Sequence, residues 1–315
     1  MLADIGEMGG DSSTSKSAIT FVAGAVAGAI SRTATAPLDR LKTMLQAGPS
    51  SGSSAMAVAN AHCTTSALSL IYRQGGIAAL FQGNTANSIK AMPEVGVKFL
   101  VFEQFSAGQG RSATHRRQAP TLSWHERLLP GAVAGVASTL VIYPLEIAKT
   151  RMALAPSPGY YSGVTECILT TIRHEGLGAL SQGLGASLVG IVPFCALDLA
   201  LYSALKERVQ QHTADSAEPG TIALLGCGAC SSAIAQVATY PLALIRTVMQ
   251  AAGSPLPGAP PRYESMHEAI VQTVQLRGLR GLYHGLMPNM LKAVPSLSLS
   301  YVIFEQSKRW LGARS

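Results

Sequence analysis

Charged side chains are scarce in this 315-residue chain: Asp, Glu, Lys and Arg make up 13% of it, about half the ~25% usual in soluble domains. That shortfall argues against two soluble domains and, with 31 glycines, for a single domain in a membrane. The cysteines (Cys63, Cys167, Cys195, Cys227 and Cys230) form no disulfide framework. Cys227 and Cys230 make a CxxC, but it sits in an apolar Ala/Gly-rich helix without the second pair that a zinc site needs, so both read as small packing residues. The first 17 residues hold Asp4, Glu7 and Asp11 and no arginine, which argues against a matrix presequence and a secretory signal. No nucleophile–base pair and no metal-ligand spacing recurs, so an enzyme is not expected.

The net charge is +7, from 24 bases and 17 acids. Nucleic-acid binders are also basic, but their charge clusters. Here single bases recur inside apolar stretches, which points to an anionic solute or anionic lipid as partner and away from nucleic acid.

A repeat of about 100 residues organises the chain. APLDRLKTMLQ from Ala36, YPLEIAKTRMA from Tyr143 and YPLALIRTVMQ from Tyr240 align on Pro37, Pro144 and Pro241. A glycine marker follows each: GGIAALFQGN, GLGALSQGL and GLRGLYHGL. Each repeat predicts two long helices, at 18–45 and 84–105, 128–154 and 186–209, then 222–250 and 287–311. Helices of this length measure roughly 33–42 Å, enough to cross a ~30 Å hydrocarbon core with tilt. Short amphipathic helices are predicted at 63–74, 163–174 and 266–275, on the membrane surface. The expected organisation is a tail at 1–17, repeats at 18–107, 123–212 and 213–312, and a polar basic linker at 108–122. Small residues four apart, Gly24/Gly28, Gly131/Gly135 and Gly226/Cys230, would let helices approach closely in lipid.

The motif Pro-x-acid-x-x-base resembles the mark of the mitochondrial carrier family. Pro37-Leu-Asp39-Arg-Leu-Lys42 and Pro144-Leu-Glu146-Ile-Ala-Lys149 match it fully, and Pro241-Leu-Ala243-Leu-Ile-Arg246 lacks the acid. The resemblance covers nearly the whole chain. It implies an all-α membrane fold: six transmembrane helices in three pseudo-threefold repeats, each with a surface helix, in the mitochondrial inner membrane. A narrower resemblance, to the ATP-Mg/phosphate carriers, rests on SRTATAPLDRLK, PEVGVKFLVFEQ, IVPFCALDLALY and GLYHGLMPNMLKAVPSLSLSYVIFE. It implies exchange of adenine nucleotide, with magnesium carried along or not, for phosphate or another nucleotide by alternating access. Long members of that subgroup carry calcium-binding EF-hands; no D-x-D-x-D-G loop occurs here, so direct calcium control is not expected.

Charges facing lipid cost about 2.5–3.5 kcal/mol each on insertion scales, so the motif acids and bases should face the interior and close the pore. With Asp39 and Glu146 against Lys42, Lys149 and Arg246, at most two bridges are expected, with Arg246 left over. The prolines are expected to bend their helices. On the even-numbered helices the resemblance implies an opposite gate of Glu103, Lys206, Glu305 and Lys308. Between the gates it proposes Arg32, Lys90, Lys98 and Lys292 as cations, with Glu94 and Asp198 as acids that hold magnesium or a proton, or pair with Lys98. Ala196-Leu197 would line the nucleotide pocket. The amides at Gly83, Gly183 and Gly285 could bind cardiolipin phosphate at helix N-termini. A monomer is expected. Two alternatives stand beside this reading: a carrier of another phosphate-bearing anion such as coenzyme A, and a carrier-like structural subunit of a larger membrane complex.

Overall fold

The computed structural model describes residues 24–47, 64–108, 124–212, 221–256 and 259–310. Among these the fold is helical, with no strand. Residues 24–34 (α1) and Ala36–Ala47 (α2) form the first long helix of repeat one. Thr64–Leu80 (α3) is its surface helix, and Asn84–Ile89 (α4) with Ala91–Gly108 (α5) form its second long helix. Repeat two contributes Trp124–Leu154 (α6), the surface helix Val164–Glu175 (α7) and Leu184–His212 (α8). Repeat three contributes Thr221–Ala251 (α9), the surface helix Met266–Gly281 (α10) and Leu286–Trp310 (α11). Six long helical segments in three repeats are therefore present. Three of them, within 133–154, 177–211 and 223–251, are apolar enough along their length to cross a membrane on hydropathy alone.

Proline acts differently in the three repeats. In repeat one the helix is interrupted at Thr35, whose amide and hydroxyl both bond to the Ser31 carbonyl, at 3.1 and 3.0 Å. Pro37 has no amide for the Thr33 carbonyl, and its ring crowds that turn. Pro93 has the same effect at Lys90, which separates α4 from α5. Around Pro144 and Pro241, by contrast, α6 and α9 continue as unbroken helix.

The repeats close into a ring. α4 packs on α6, α8 on α9, and α11 on α2, so each second helix meets the first helix of the next repeat. The glycine marker makes this approach close. Gly83, Gly183 and Gly285 have φ of 84°, 78° and 82°, and a Cβ on each would meet the next repeat at 3.0–3.3 Å. The carbonyl it would approach belongs to Lys149, Arg246 and Lys42 respectively, the base of the neighbouring proline motif.

Replacing Gly183 with Ala combines a left-handed backbone, costing about 1–2 kcal/mol, with a Cβ 3.1 Å from the Tyr143 hydroxyl. Gly183→Ala should lower the melting temperature in detergent by several degrees. Gly185→Ala, where a Cβ meets nothing within 4 Å, should leave it unchanged or raise it.

Repeat two adds a buried ion pair. Arg151 is 0% exposed and binds the Glu175 carboxylate through both terminal nitrogens, one contact at 2.8 Å, and the Thr171 hydroxyl at 3.0 Å. This fixes α7 to α6. In repeat three Arg277 occupies the position of Glu175 and donates instead to the carbonyls of Gln46 and Ala47, at 3.1 and 2.8 Å, across to repeat one.

Candidate functional site

The proline motifs meet at one end of the ring, where Asp39 and Glu146 are 8% and 9% exposed. Glu146 is the hub: one carboxylate oxygen binds Lys90 and the other binds Arg246. Asp39 binds Lys292 and accepts from the Asn87 side chain at 3.2 Å. This corrects the pairing expected from the motif. Arg246 is not left over, and among the described residues neither Lys42 nor Lys149 has a carboxylate within 4 Å. The reason is reach: Lys90 and Lys292 come in from the second helices of their repeats and take oxygens that the motif alone would leave to the first helices.

Lys90 and Lys292 were expected in a separate layer between the gates. The structure brings them onto Glu146 and Asp39, so two of the four expected site cations pair with the motif acids instead. The other two share Glu94: Arg32 donates to one oxygen at 2.9 Å and Lys98 to the other at 2.7 Å. Arg32 also donates to the Asn87 carbonyl at 2.9 Å, so Asn87 links both layers. Asp198 accepts from the hydroxyls of Ser231 and Ser232, both at 2.9 Å. Ala196 and Leu197 are half-buried beside it on α8. The acid side chains are 11% and 12% exposed at Asp39 and Glu146 and 19% at Glu94, and Lys98 is the most exposed of the paired cations at 40%.

At the other end, the side chains of Glu103, Glu305 and Lys308 lie outside the described residues. Lys206 is half-buried on α8, with no carboxylate within 4 Å among the described side chains.

Sequence reasoning missed a polar network next to these ion pairs. Tyr143 donates to the Gln182 carbonyl at 2.8 Å and accepts from Gln250 at 3.4 Å, while Thr150 donates to Gln250 at 2.9 Å. Tyr240 donates to the His284 carbonyl at 2.9 Å and accepts from Gln46 at 3.0 Å, while Thr247 donates to Gln46 at 3.0 Å. The same triad thus joins repeat two to three and repeat three to one. The signal was present in the aligned motifs, whose first column reads Ala36, Tyr143, Tyr240 and whose last reads Gln46, Ala153, Gln250.

Three two-helix repeats in a closed ring, with ion pairs across the interior, define a repeat-built helical membrane protein. The chain belongs to the mitochondrial carrier protein family, whose profile matches residues 13–112, 120–213 and 217–315. It is 41% identical over 296 residues to the calcium-binding mitochondrial carrier protein SCaMC-2-A of Danio rerio, covering 94% of this chain and 60% of that protein. It is 42% identical over 297 residues to the mitochondrial adenyl nucleotide antiporter SLC25A25 of Homo sapiens, with 94% and 60% covered. To the antiporter SLC25A24 of Danio rerio it is 40% identical over 293 residues, with 93% and 58% covered. The chain spans about 60% of the length of these relatives.

Proposed function

We propose that this chain exchanges adenine nucleotides, free or with magnesium, for phosphate or another nucleotide across the mitochondrial inner membrane. The observation that carries this reading is the column of four cations, Arg32, Lys90, Lys98 and Lys292, each held by an acid in the closed-gate state. Likeness to proteins named adenyl nucleotide antiporters supports the choice of nucleotide.

In the mechanism we propose, substrate phosphate enters from the open end and first meets Lys98 and Arg32, which offer charge-assisted donors. Deeper in, the phosphates compete with Glu146 and Asp39 for Lys90 and Lys292. A pair at 4 Å is worth ~4 kcal/mol at an effective dielectric of 20 before desolvation. Replacing a carboxylate by a phosphate on the same lysine therefore loosens the gate at small net cost, and differential binding moves the protein to its other face. Asp198, with two hydroxyls on one oxygen, is the acid we assign to magnesium or to a proton. The first turns after Gly83, Gly183 and Gly285 are proposed to take cardiolipin phosphate at the membrane face.

The test is uptake of labelled ATP, ADP, phosphate and coenzyme A into liposomes holding the purified protein and loaded with phosphate. Nucleotide uptake dependent on internal phosphate or nucleotide is expected. Uptake of coenzyme A alone would move the substrate assignment, and no uptake by a folded preparation would favour a structural subunit.

A further inference from the structure

The three bases of the proline motifs stand at one level of the ring. Lys42, Lys149 and Arg246 occupy the same position after Pro37, Pro144 and Pro241, on α2, α6 and α9. Those three helices pack against one another pairwise, so the bases come together from three repeats. They are close enough to repel: Lys42 feels Lys292, Lys149 and Arg246, and Lys149 feels Lys90 and Lys292.

Every carboxylate oxygen at this level is already taken. Glu146 gives one to Lys90 and one to Arg246, and Asp39 gives one to Lys292 and one to the Asn87 amide. Repeat three has Ala243 where the others have an acid, so five bases meet two acids, an excess of three positive charges. The next layer supplies no acid, because Glu94 holds Arg32 and Lys98 and Asp198 is engaged by Ser231 and Ser232. Arg40, buried on main-chain carbonyls, adds a further charge nearby. Lys42 and Lys149 are half-buried. Neither has a hydrogen bond or a carboxylate within 4 Å among the described residues.

Charge left uncompensated in a protein interior is costly, and like charges beside it add to the cost. An anion at this level removes both penalties. Two ammonium groups, with the N–H groups of Arg246 that Glu146 does not use, offer charge-assisted donors from three sides. Three such donors match three oxygens of a tetrahedral oxyanion. One turn further along α2 and α9, Gln46 and Gln250 are 1% and 2% exposed, so the level suits a small ion and not a nucleotide.

We propose that Lys42, Lys149 and Arg246 bind one inorganic phosphate dianion in the closed ring, at a site separate from the layer of Arg32 and Lys98. The bound ion ties the three repeats together and stabilises the closed form. This site goes beyond the transport reading above and does not depend on it.

Binding of labelled phosphate to the purified protein in mild detergent tests the site, with melting temperature measured in parallel. The parent should bind phosphate and melt higher in it than in chloride of equal ionic strength. Lys42→Gln/Lys149→Gln loses two of the three donors and should bind at least about tenfold more weakly. It should also melt above the parent when phosphate is absent, because the repulsion is gone. Lys98→Ala, a change in the other layer, should keep the rise in melting temperature that phosphate produces. Unchanged binding by the glutamine pair would overturn the proposal, as would loss of all binding in Lys98→Ala. Equal stabilisation by chloride would also overturn it and leave the lysines simply hydrated. Should the double variant fail to fold, Lys149→Gln alone must weaken phosphate binding severalfold. A parent protein that moves no anion into liposomes refutes the transport reading, and phosphate binding in detergent still decides this site.

Discussion

Glu146→Gln should reduce exchange about 100-fold at matched protein in liposomes, and Arg246→Ala by no more than about tenfold. Glu146 bonds Lys90 through one oxygen and Arg246 through the other, at 9% exposure. Neutralising it strands two cations in an interior already rich in positive charge, where Lys42 and Lys149 have no carboxylate within 4 Å among the described residues. Breaking a buried pair by removing one partner costs about 3–5 kcal/mol, and each 1.4 kcal/mol is tenfold in population. In the proposed cycle, the closed state that this carboxylate holds becomes correspondingly rare. Removing Arg246 leaves Glu146 with Lys90, and the 30% exposure of the Arg246 side chain means that water screens much of what is lost. Equal losses from the two variants would show that the hub assignment is wrong. So would a Glu146→Gln protein that exchanges at the parent rate.

The fold was legible because period and length are local properties. Three prolines, three glycine markers and six apolar stretches located the helices to within a few residues. The surface helices start within a residue of expectation and run on at α3 and α10, because the helix resumes after Gly76 and Gly278, at φ 64° and 67°. The pairing of charges was less legible. Asp39 and Lys42, or Glu146 and Lys149, look like partners when only the motif is read. Lys90 and Lys292 lie 56 and 253 residues from the acids they bind, and nothing local to either lysine names its partner. The glycine markers were read only as amide donors for lipid. Their positive φ and their contact with the carbonyl of the next repeat's base are properties of the assembled ring. Asn87, too, is unremarkable in sequence; only the meeting of α1 and α2 with α4 gives its side chain to Asp39 and its carbonyl to Arg32.

Lys98→Ala should lower ATP uptake at least 10- to 100-fold, and Glu94→Gln should shift preference from magnesium-bound towards free ATP. Once Lys90 and Lys292 leave Glu146 and Asp39 in the proposed mechanism, the four cations face Glu94 and Asp198, which leaves two positive charges for substrate. A divalent anion balances that: magnesium-bound ATP, or doubly charged phosphate on the return. Free ATP brings about two further negative charges and should be the poorer substrate of the parent protein. Lys98 is the most exposed of the cations paired in this site, at 40%, and stands first on the path inward. A hydrogen bond to a charged group contributes about 1.5–3 kcal/mol, which sets the size of the expected loss. Glu94 holds Arg32 and Lys98 together. Its neutralisation releases both and raises the site to three uncompensated charges, so uptake of free ATP should rise against magnesium-bound ATP by about tenfold. Asp198→Asn removes the one site acid bonded only to hydroxyls. If that carboxylate holds the metal, uptake should lose its dependence on magnesium while phosphate–phosphate exchange continues. The measurement is labelled ATP uptake into phosphate-loaded liposomes with and without magnesium, for the parent and each variant at equal protein. An unchanged magnesium ratio in both acid variants would refute the charge-balance account and leave the carrier fold untouched.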